Sequence, residues 1–199
     1  LFERAIEDKQ GLIKAKQMSN KLLFNKVRIA KDYKDLRDND KNVLLIKANI
    51  LDIKDVIPEN EVHYILTDPP YGNLIQYFDL SSIWSIWLKG SEQDKFFDMP
   101  YNQEVIAKSL KDLGDYENVM INSLKNLYKI LIPDRYLTLT FHNSNPVVYD
   151  LIMKICFMSG FVVEKVQFQP NRRASESGVA NPYGSAISDY YIRLRKPSK

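Results

Sequence analysis

A single cysteine, Cys156, stands in a chain of 199 residues. No internal disulfide framework and no cysteine zinc cluster can be built from it. It sits in the apolar stretch Leu151-Ile152-Met153-Lys154-Ile155-Cys156-Phe157-Met158, where a buried, inert thiol is expected. Histidine is almost as scarce, with only His63 and His142, far apart in sequence, so no metal site is expected. No uninterrupted apolar run approaches the roughly 20 residues that cross a bilayer. The opening Leu1-Phe2-Glu3-Arg4-Ala5-Ile6-Glu7-Asp8 mixes charge with apolar side chains and does not read as a signal peptide. It also lacks Met, so the chain is expected to be a piece of something longer. A reducing, cytoplasmic setting fits these features. Charge of one sign is lacking too: 28 Lys and Arg against 25 Asp and Glu leave a net +3. That balance permits a nucleic-acid partner without marking one.

What is present is the composition of an ordinary globular protein, 45% hydrophobic and 27% charged. Residues 1–42 are polar and charged, with Leu12, Ala15, Leu22 and Leu23 at helical spacings, and read as one or two helices. They end in the polar run Arg37-Asp38-Asn39-Asp40-Lys41-Asn42, a solvated turn. Val43-Leu44-Leu45-Ile46-Lys47 and Val62-His63-Tyr64-Ile65-Leu66-Thr67 are short apolar runs between polar turns. Such runs suit parallel strands buried on both faces. Further strands are expected at 136–141, 161–168 and 187–194. Helices are expected at 79–88, where Leu80, Ile83, Trp84, Trp87 and Leu88 share one face, and at 116–132. A third, at 146–158, is punctuated by Asn145 as N-cap, Pro146 at the first position and Gly160 just past the end. Strands alternating with helices predict an α/β layered domain. The last two strands, joined by the loop 169–186, predict an antiparallel pair at the sheet edge. Residues 89–115 are polar and irregular and read as an insertion or a mobile arm.

The tetrapeptide Asp68-Pro69-Pro70-Tyr71 follows directly on the run ending at Thr67. Carboxyl ends of strands in open α/β sheets are where ligands bind. Two prolines hold the backbone extended and remove two N–H donors. A stiff loop that presents one carboxylate, outward carbonyls and an aromatic ring suits the grip of a planar amine. The plainer alternative is a strand-ending turn, for which Pro-Pro is a common marker.

Residues 62–88 weigh against that alternative. The series Ile65-Leu66-Thr67-Asp68-Pro69-Pro70-Tyr71-Gly72, then Tyr77-Phe78-Asp79-Leu80-Ser81 and Trp84-Ser85-Ile86-Trp87-Leu88, closely resembles adenine-specific DNA methylases. The likeness runs over roughly residues 43–197. It includes Tyr116 with its helix to Ile132 and Pro133, Leu139-Thr140-Phe141-His142, Ser159-Gly160-Phe161, and Tyr183-Gly184-Ser185-Ala186. The resemblance implies a Rossmann-like S-adenosylmethionine-dependent methyltransferase sheet with an antiparallel edge, a helical segment 1–42 and a catalytic portion 43–199. It carries Asp68, Pro69, Pro70 and Tyr71 over as the target-amine site, with DNA as partner and S-adenosylmethionine as methyl donor. The Asp68 carboxylate and the Pro69 carbonyl would each accept one N–H of the amine, turning its lone pair toward the methyl group. Tyr71 would stack on the flipped base. Asn49, where the family carries an acidic residue, and Asp52 are the candidate donor-binding residues.

One family feature is missing. These enzymes hold the donor in a glycine-rich turn after a first strand lying beside the one that ends at Thr67. Seven glycines occur here and no Gly-x-Gly is among them. The expectation is a catalytic half whose donor-binding part is supplied by a missing N-terminal portion or by a second chain. Two rivals stay open: an RNA amino-methyltransferase acting on guanine or cytosine, and a non-catalytic DNA-binding subunit. Among other residues, Arg172 and Arg173 are candidate phosphate contacts and His142 a candidate pocket residue, each weighed against an ordinary surface role. Trp84 and Trp87 are expected in the core rather than on a base-stacking surface.

Overall fold

The computed structural model describes residues 12–22, 27–38, 40–72, 75–88, 104–106, 113–143, 145–170 and 188–198. The chain divides into two compact units, Leu1–Ile46 and Lys47–Lys199.

In the first unit, helix α1 (Leu12–Leu22) is followed by two minimal strands, β1 (Ile29–Ala30) and β2 (Val43–Leu44), paired in parallel. Helix α2 (Tyr33–Asp38) lies between them in sequence. Its start is capped by Asp32, whose Oδ1 accepts from the Asp35 N–H at 2.8 Å. The polar run after α2 is more than a solvated turn. Asp40 forms an ion pair with Arg28 at 2.6 Å, and Asn42 Oδ1 accepts from the Arg28 N–H at 2.8 Å. These contacts brace the short parallel pair from its side. The strand expected at 43–47 is therefore shortened to two residues. Leu45 is 74% exposed, so the expected double-sided burial fails there for want of flanking strands.

The second unit is a mixed α/β layer. Four strands, β3 (Val62–Thr67), β4 (Leu131–Phe141), β5 (Val162–Pro170) and β6 (Ser188–Arg195), run in the order β3-β4-β6-β5. β3 and β4 are parallel, and β6 is antiparallel to both β4 and β5. The antiparallel pair expected at the edge is present, and β6, the inner member, is the strand that runs against the others. A 3-10 helix at Ile50–Asp55 precedes β3, and the described residues also form helices α3 (Tyr77–Leu88), α4 (Leu113–Ile130) and α5 (Pro146–Met158).

Alternation along the strands sends Leu137, Leu139 and Phe141 of β4 and Ile192 and Leu194 of β6 to one face, all fully buried. They meet Tyr116, Met120, Leu124 and Leu127 of α4 and Val148, Ile152 and Ile155 of α5. Each such side chain contributes about 1.5–3 kcal/mol on burial. Helix α5 starts and stops where its sequence says: Asn145 Oδ1 accepts from the Val147 N–H at 3.0 Å, and Gly160 takes φ +90° beyond the end.

Three expectations need correction. Leu131, inside the helix expected at 116–132, is the first residue of β4 and pairs with Val62. The strand reaches back past Pro133 because Asp134, at φ 59°, absorbs a bulge there. Its backbone N–H donates to the Lys196 carbonyl at 2.8 Å. Next, β3 is not buried on both faces: Tyr64 is 53% and Leu66 67% exposed, because the face these alternate residues share is left uncovered among the described residues. Finally, Leu80 and Ile83 of α3 are exposed rather than in the core. The Trp84 and Trp87 side chains on that helix lie outside the described residues.

Lys196 is buried, and its ammonium donates to Asn60 Oδ1 and to the Tyr128 and Leu131 carbonyls at 2.7–2.8 Å. It also lies 4.7 Å from the Tyr128 ring centroid. Lys196→Met strands these acceptors and is expected to cost about 2–3 kcal/mol in urea unfolding. Burial pushes the Cys156 thiol up to about 12. A group raised on folding stabilises fully below its ordinary pKa, near 9.0, and loses that contribution as pH climbs toward the folded value. The native protein is thus expected to resist a thiol reagent at pH about 8 and to react on unfolding; rapid native reaction would contradict the burial.

Candidate active site

Asp68-Pro69-Pro70-Tyr71 leaves the carboxyl end of β3, beside the end of β4. The register that sets Thr67 opposite Leu139 brings Thr140 to Asp68. Asp68 Oδ1 accepts from Thr140 Oγ1 and from the Tyr71 hydroxyl, each at 2.5 Å. Both bonds fall on one carboxylate oxygen, and Oδ2 accepts no hydrogen bond among the described residues.

The rest of the loop is held through its carbonyls. The Tyr116 hydroxyl, from the first turn of α4, donates to the Pro70 carbonyl at 2.6 Å. Asn143 Nδ2 donates to the Tyr71 carbonyl at 3.0 Å, while its Oδ1 accepts from the Asn145 N–H at 2.8 Å. One buried amide thus joins the loop to the cap of α5. No hydrogen bond to the Pro69 carbonyl exists among the described residues, so it remains an acceptor. Gly72 closes the loop at φ +73°, and a Cβ there would lie 3.1 Å from Val148 Cγ1. Only glycine meets both conditions.

The phenols are fixed as donors. Burial first, then the hydrogen bond to Asp68 and its charge, pushes Tyr71 far above the ordinary tyrosine value. Burial does the same for Tyr116 and raises Tyr77. All three therefore keep their protons throughout the working pH range. The Tyr71 ring stands edge-on to Phe141 at 5.7 Å and tilted against His142 at 6.1 Å. His142 Nδ1 is 2.6 Å from Asp189 Oδ1. Glu104 Oε1 accepts from the Phe78 N–H at 2.9 Å, satisfying a backbone donor in the first turn of α3.

The structure thus gathers Asp68, Pro69, Pro70 and Tyr71 into one braced loop with His142 beside it. Asn49 and Asp52 stand on the 3-10 helix. Asn49 is its N-cap, with Oδ1 accepting from the Leu51 N–H at 3.0 Å, and Asp52 is exposed. Asn126 Nδ2 ties this helix to α4 through the Leu51 carbonyl at 2.6 Å. Arg172 and Arg173 lie outside the described residues. Reading by sequence missed Thr140, Asn143 and the hydroxyl of Tyr116 as loop contacts. The alternation Thr138-Leu139-Thr140 marks a polar residue at a strand end and is the signal that finds Thr140. Nothing local reveals the partners of Tyr116 or Asn143. Among the described residues, no group of three or more His, Cys, Asp or Glu side chains could hold a metal ion, and no helix is long and apolar enough to cross a membrane.

No family model matches the chain, and no curated protein matches it. Solved structures do. A Thermus thermophilus protein, assigned as a DNA modification methylase and complexed with S-adenosyl-L-methionine, is 14% identical over 76% of this chain and 52% of its own, with a TM-score of 0.47. The cytosine-N4-specific PvuII DNA methyltransferase is 11% identical over 76% of this chain and 49% of its own, with a TM-score of 0.46. A SAM-dependent methyltransferase from Archaeoglobus fulgidus is 12% identical over 98% of both chains, with a TM-score of 0.41. The chain spans about half the length of the first two. With every TM-score below 0.5, these are likenesses of chain path and say nothing of chemistry.

Gly72→Ala meets the positive φ and the Val148 side chain together. It is expected to lower stability by about 1–2 kcal/mol from the backbone alone, read as a shift in the urea midpoint. A substitution without cost would show that the loop is not held in this conformation.

Proposed function

We propose that the chain is the target-amine half of an S-adenosylmethionine-dependent DNA amino-methyltransferase acting on N6 of adenine. The observation that carries this is the braced loop. One free carboxylate oxygen on Asp68 and one free carbonyl on Pro69 are held at a strand end beside an aromatic ring. An exocyclic amine is a poor nucleophile because its lone pair is delocalised into the base. Two acceptors, one for each N–H, bias the nitrogen toward tetrahedral geometry and free the lone pair. This is catalysis by positioning and preorganised electrostatics. The bonds from Tyr116, Asn143 and Thr140 mean that little reorganisation is needed when the amine arrives. Asp68, already holding one N–H, is the nearest acceptor for the proton that the methylated amine sheds. Tyr71 supplies the stacking surface that partly offsets removing the base from its helix.

The methyl donor supplies an electrophilic methyl group. The residues assigned to it fit only in part. The Asn49 side-chain oxygen is engaged in capping the 3-10 helix, Asp52 is exposed, and no glycine-rich turn exists. We infer that the donor site is completed by a second chain or by a further part of the same protein. Among the described residues β3 pairs with β4 alone, and that unpaired edge supports a sheet that continues beyond β3.

The grip recognises an amine, so N4 of cytosine would fit it as well as N6 of adenine. The resemblance of residues 62–88 favours adenine. In the complete enzyme, Asp68→Ala is expected to cut methyl transfer at least about 100-fold with DNA binding changed less than about threefold. Unchanged transfer would end the catalytic assignment, and a wild-type complex that binds DNA without transferring methyl groups would mark a non-catalytic subunit. Calorimetry of S-adenosylmethionine into this chain alone is expected to show no binding. Tight one-to-one binding would overturn the divided donor site.

A further inference from the structure

Most of the loop's contacts act on its backbone or its carboxylate. The Tyr71 ring is the exception. Its hydroxyl is tied to Asp68 Oδ1 at 2.5 Å, and the ring itself meets neighbours at the end of β4, Phe141 edge-on at 5.7 Å and His142 tilted by 46° at 6.1 Å. Phe141 is fully buried. His142 lies past the last residue of β4, where no ladder bond fixes it. Its side chain is 28% exposed, and what fixes it is Asp189, the second residue of β6, at 2.6 Å from Nδ1. Asp189 is placed there by the antiparallel register that pairs Phe141 with Tyr190. Tyr190 in turn packs against Tyr149 of α5 at 5.0 Å and Phe168 of β5 at 5.6 Å. Asp189 therefore stands on a well-anchored strand end, and His142 transmits that position to Tyr71.

A carboxylate at one imidazole nitrogen fixes both tautomer and ring orientation, as it does for histidines that ligate metals or act in catalysis. Here the oriented ring faces another ring. We propose that Asp189 and His142 are positioning residues that set the plane of the Tyr71 ring for stacking on the target base. This extends the amine-methyltransferase reading by naming what prepares its base platform, and it rests on that reading for the identity of the ligand. Neither residue touches the reacting atoms. The pair acts on how well the base is held.

The test separates the two claims. Tyr71 is followed by fluorine NMR in protein labelled with 3-fluorotyrosine, its resonance assigned by Tyr71→Phe. Base capture is followed by the fluorescence of an oligonucleotide carrying 2-aminopurine at an adenine position. Asp189→Ala is expected to shift or broaden the Tyr71 resonance and to weaken 2-aminopurine capture about tenfold, the lower end of what one base–aromatic stack is worth. Asp189→Asn, whose amide oxygen still accepts from Nδ1, is expected to restore capture to within about threefold; a general loss of packing would not be rescued so selectively. Lys165→Ala, on the neighbouring strand, serves as control and is expected to leave Tyr71 unmoved. An unshifted Tyr71 resonance in Asp189→Ala overturns the proposal, as does a shifted resonance with unchanged capture. If Tyr71 responds and capture falls while the complete wild-type enzyme transfers no methyl group, the buttress stands and the methyltransferase reading fails.

Discussion

The site depends on hydrogen bonds that immobilise a loop with few donors of its own. Asp68-Pro69-Pro70-Tyr71 leaves β3 with two prolines in a row, so half of its residues have no N–H with which to bind a neighbour. It is held from outside, by Tyr116 on the Pro70 carbonyl, Asn143 on the Tyr71 carbonyl and Thr140 on the Asp68 carboxylate. Those donors come from α4, from the segment after β4 and from β4 itself. The parallel pairing of β3 with β4 and the packing of α4 and α5 on one sheet face bring them together. Fold and site are linked here by geometry: loosen the β3–β4 register and Thr140 no longer faces Asp68.

The same arrangement separates what is spent from what is free. Asp68 Oδ1 and the Pro70 and Tyr71 carbonyls are used for structure. Among the described residues, Asp68 Oδ2 and the Pro69 carbonyl are not, and they are the two acceptors that the proposed amine grip uses. A flexible loop with the same residues would have to order itself on each substrate encounter, and that cost would be subtracted from binding and rate. The buried phenols add to this, since burial keeps Tyr71 and Tyr116 protonated and therefore as donors.

Much of this was legible in the sequence, for definite reasons. Pro-Pro after an apolar run also marks an ordinary turn, and the loop stands out because Asp68 and Tyr71 flank the prolines and Gly72 and an aromatic segment follow. Helix α5 was readable because Asn145, Pro146 and Gly160 act within a few residues of the helix ends. What failed was set by distant partners. Val43–Lys47 and Val62–Thr67 look alike as apolar runs, yet the first keeps two strand residues and the second lies at an outer edge. Burial depends on neighbouring strands, which an isolated run does not encode. Leu131 fits both a helical face and a strand, and the bulge at Asp134 decided for the strand. The roles of Asn143 and Tyr116 depend on contacts across 72 and 46 residues respectively, beyond any local pattern.

The most direct test of the central claim is to identify the methylated base. DNA incubated with the complete enzyme and S-adenosylmethionine is digested to nucleosides and analysed by mass spectrometry. N6-methyladenine, formed only when Asp68 is intact, is the expected product. N4-methylcytosine would keep the amine grip but contradict the adenine assignment. No methylated base from a complex that binds both DNA and donor would contradict the account at its root.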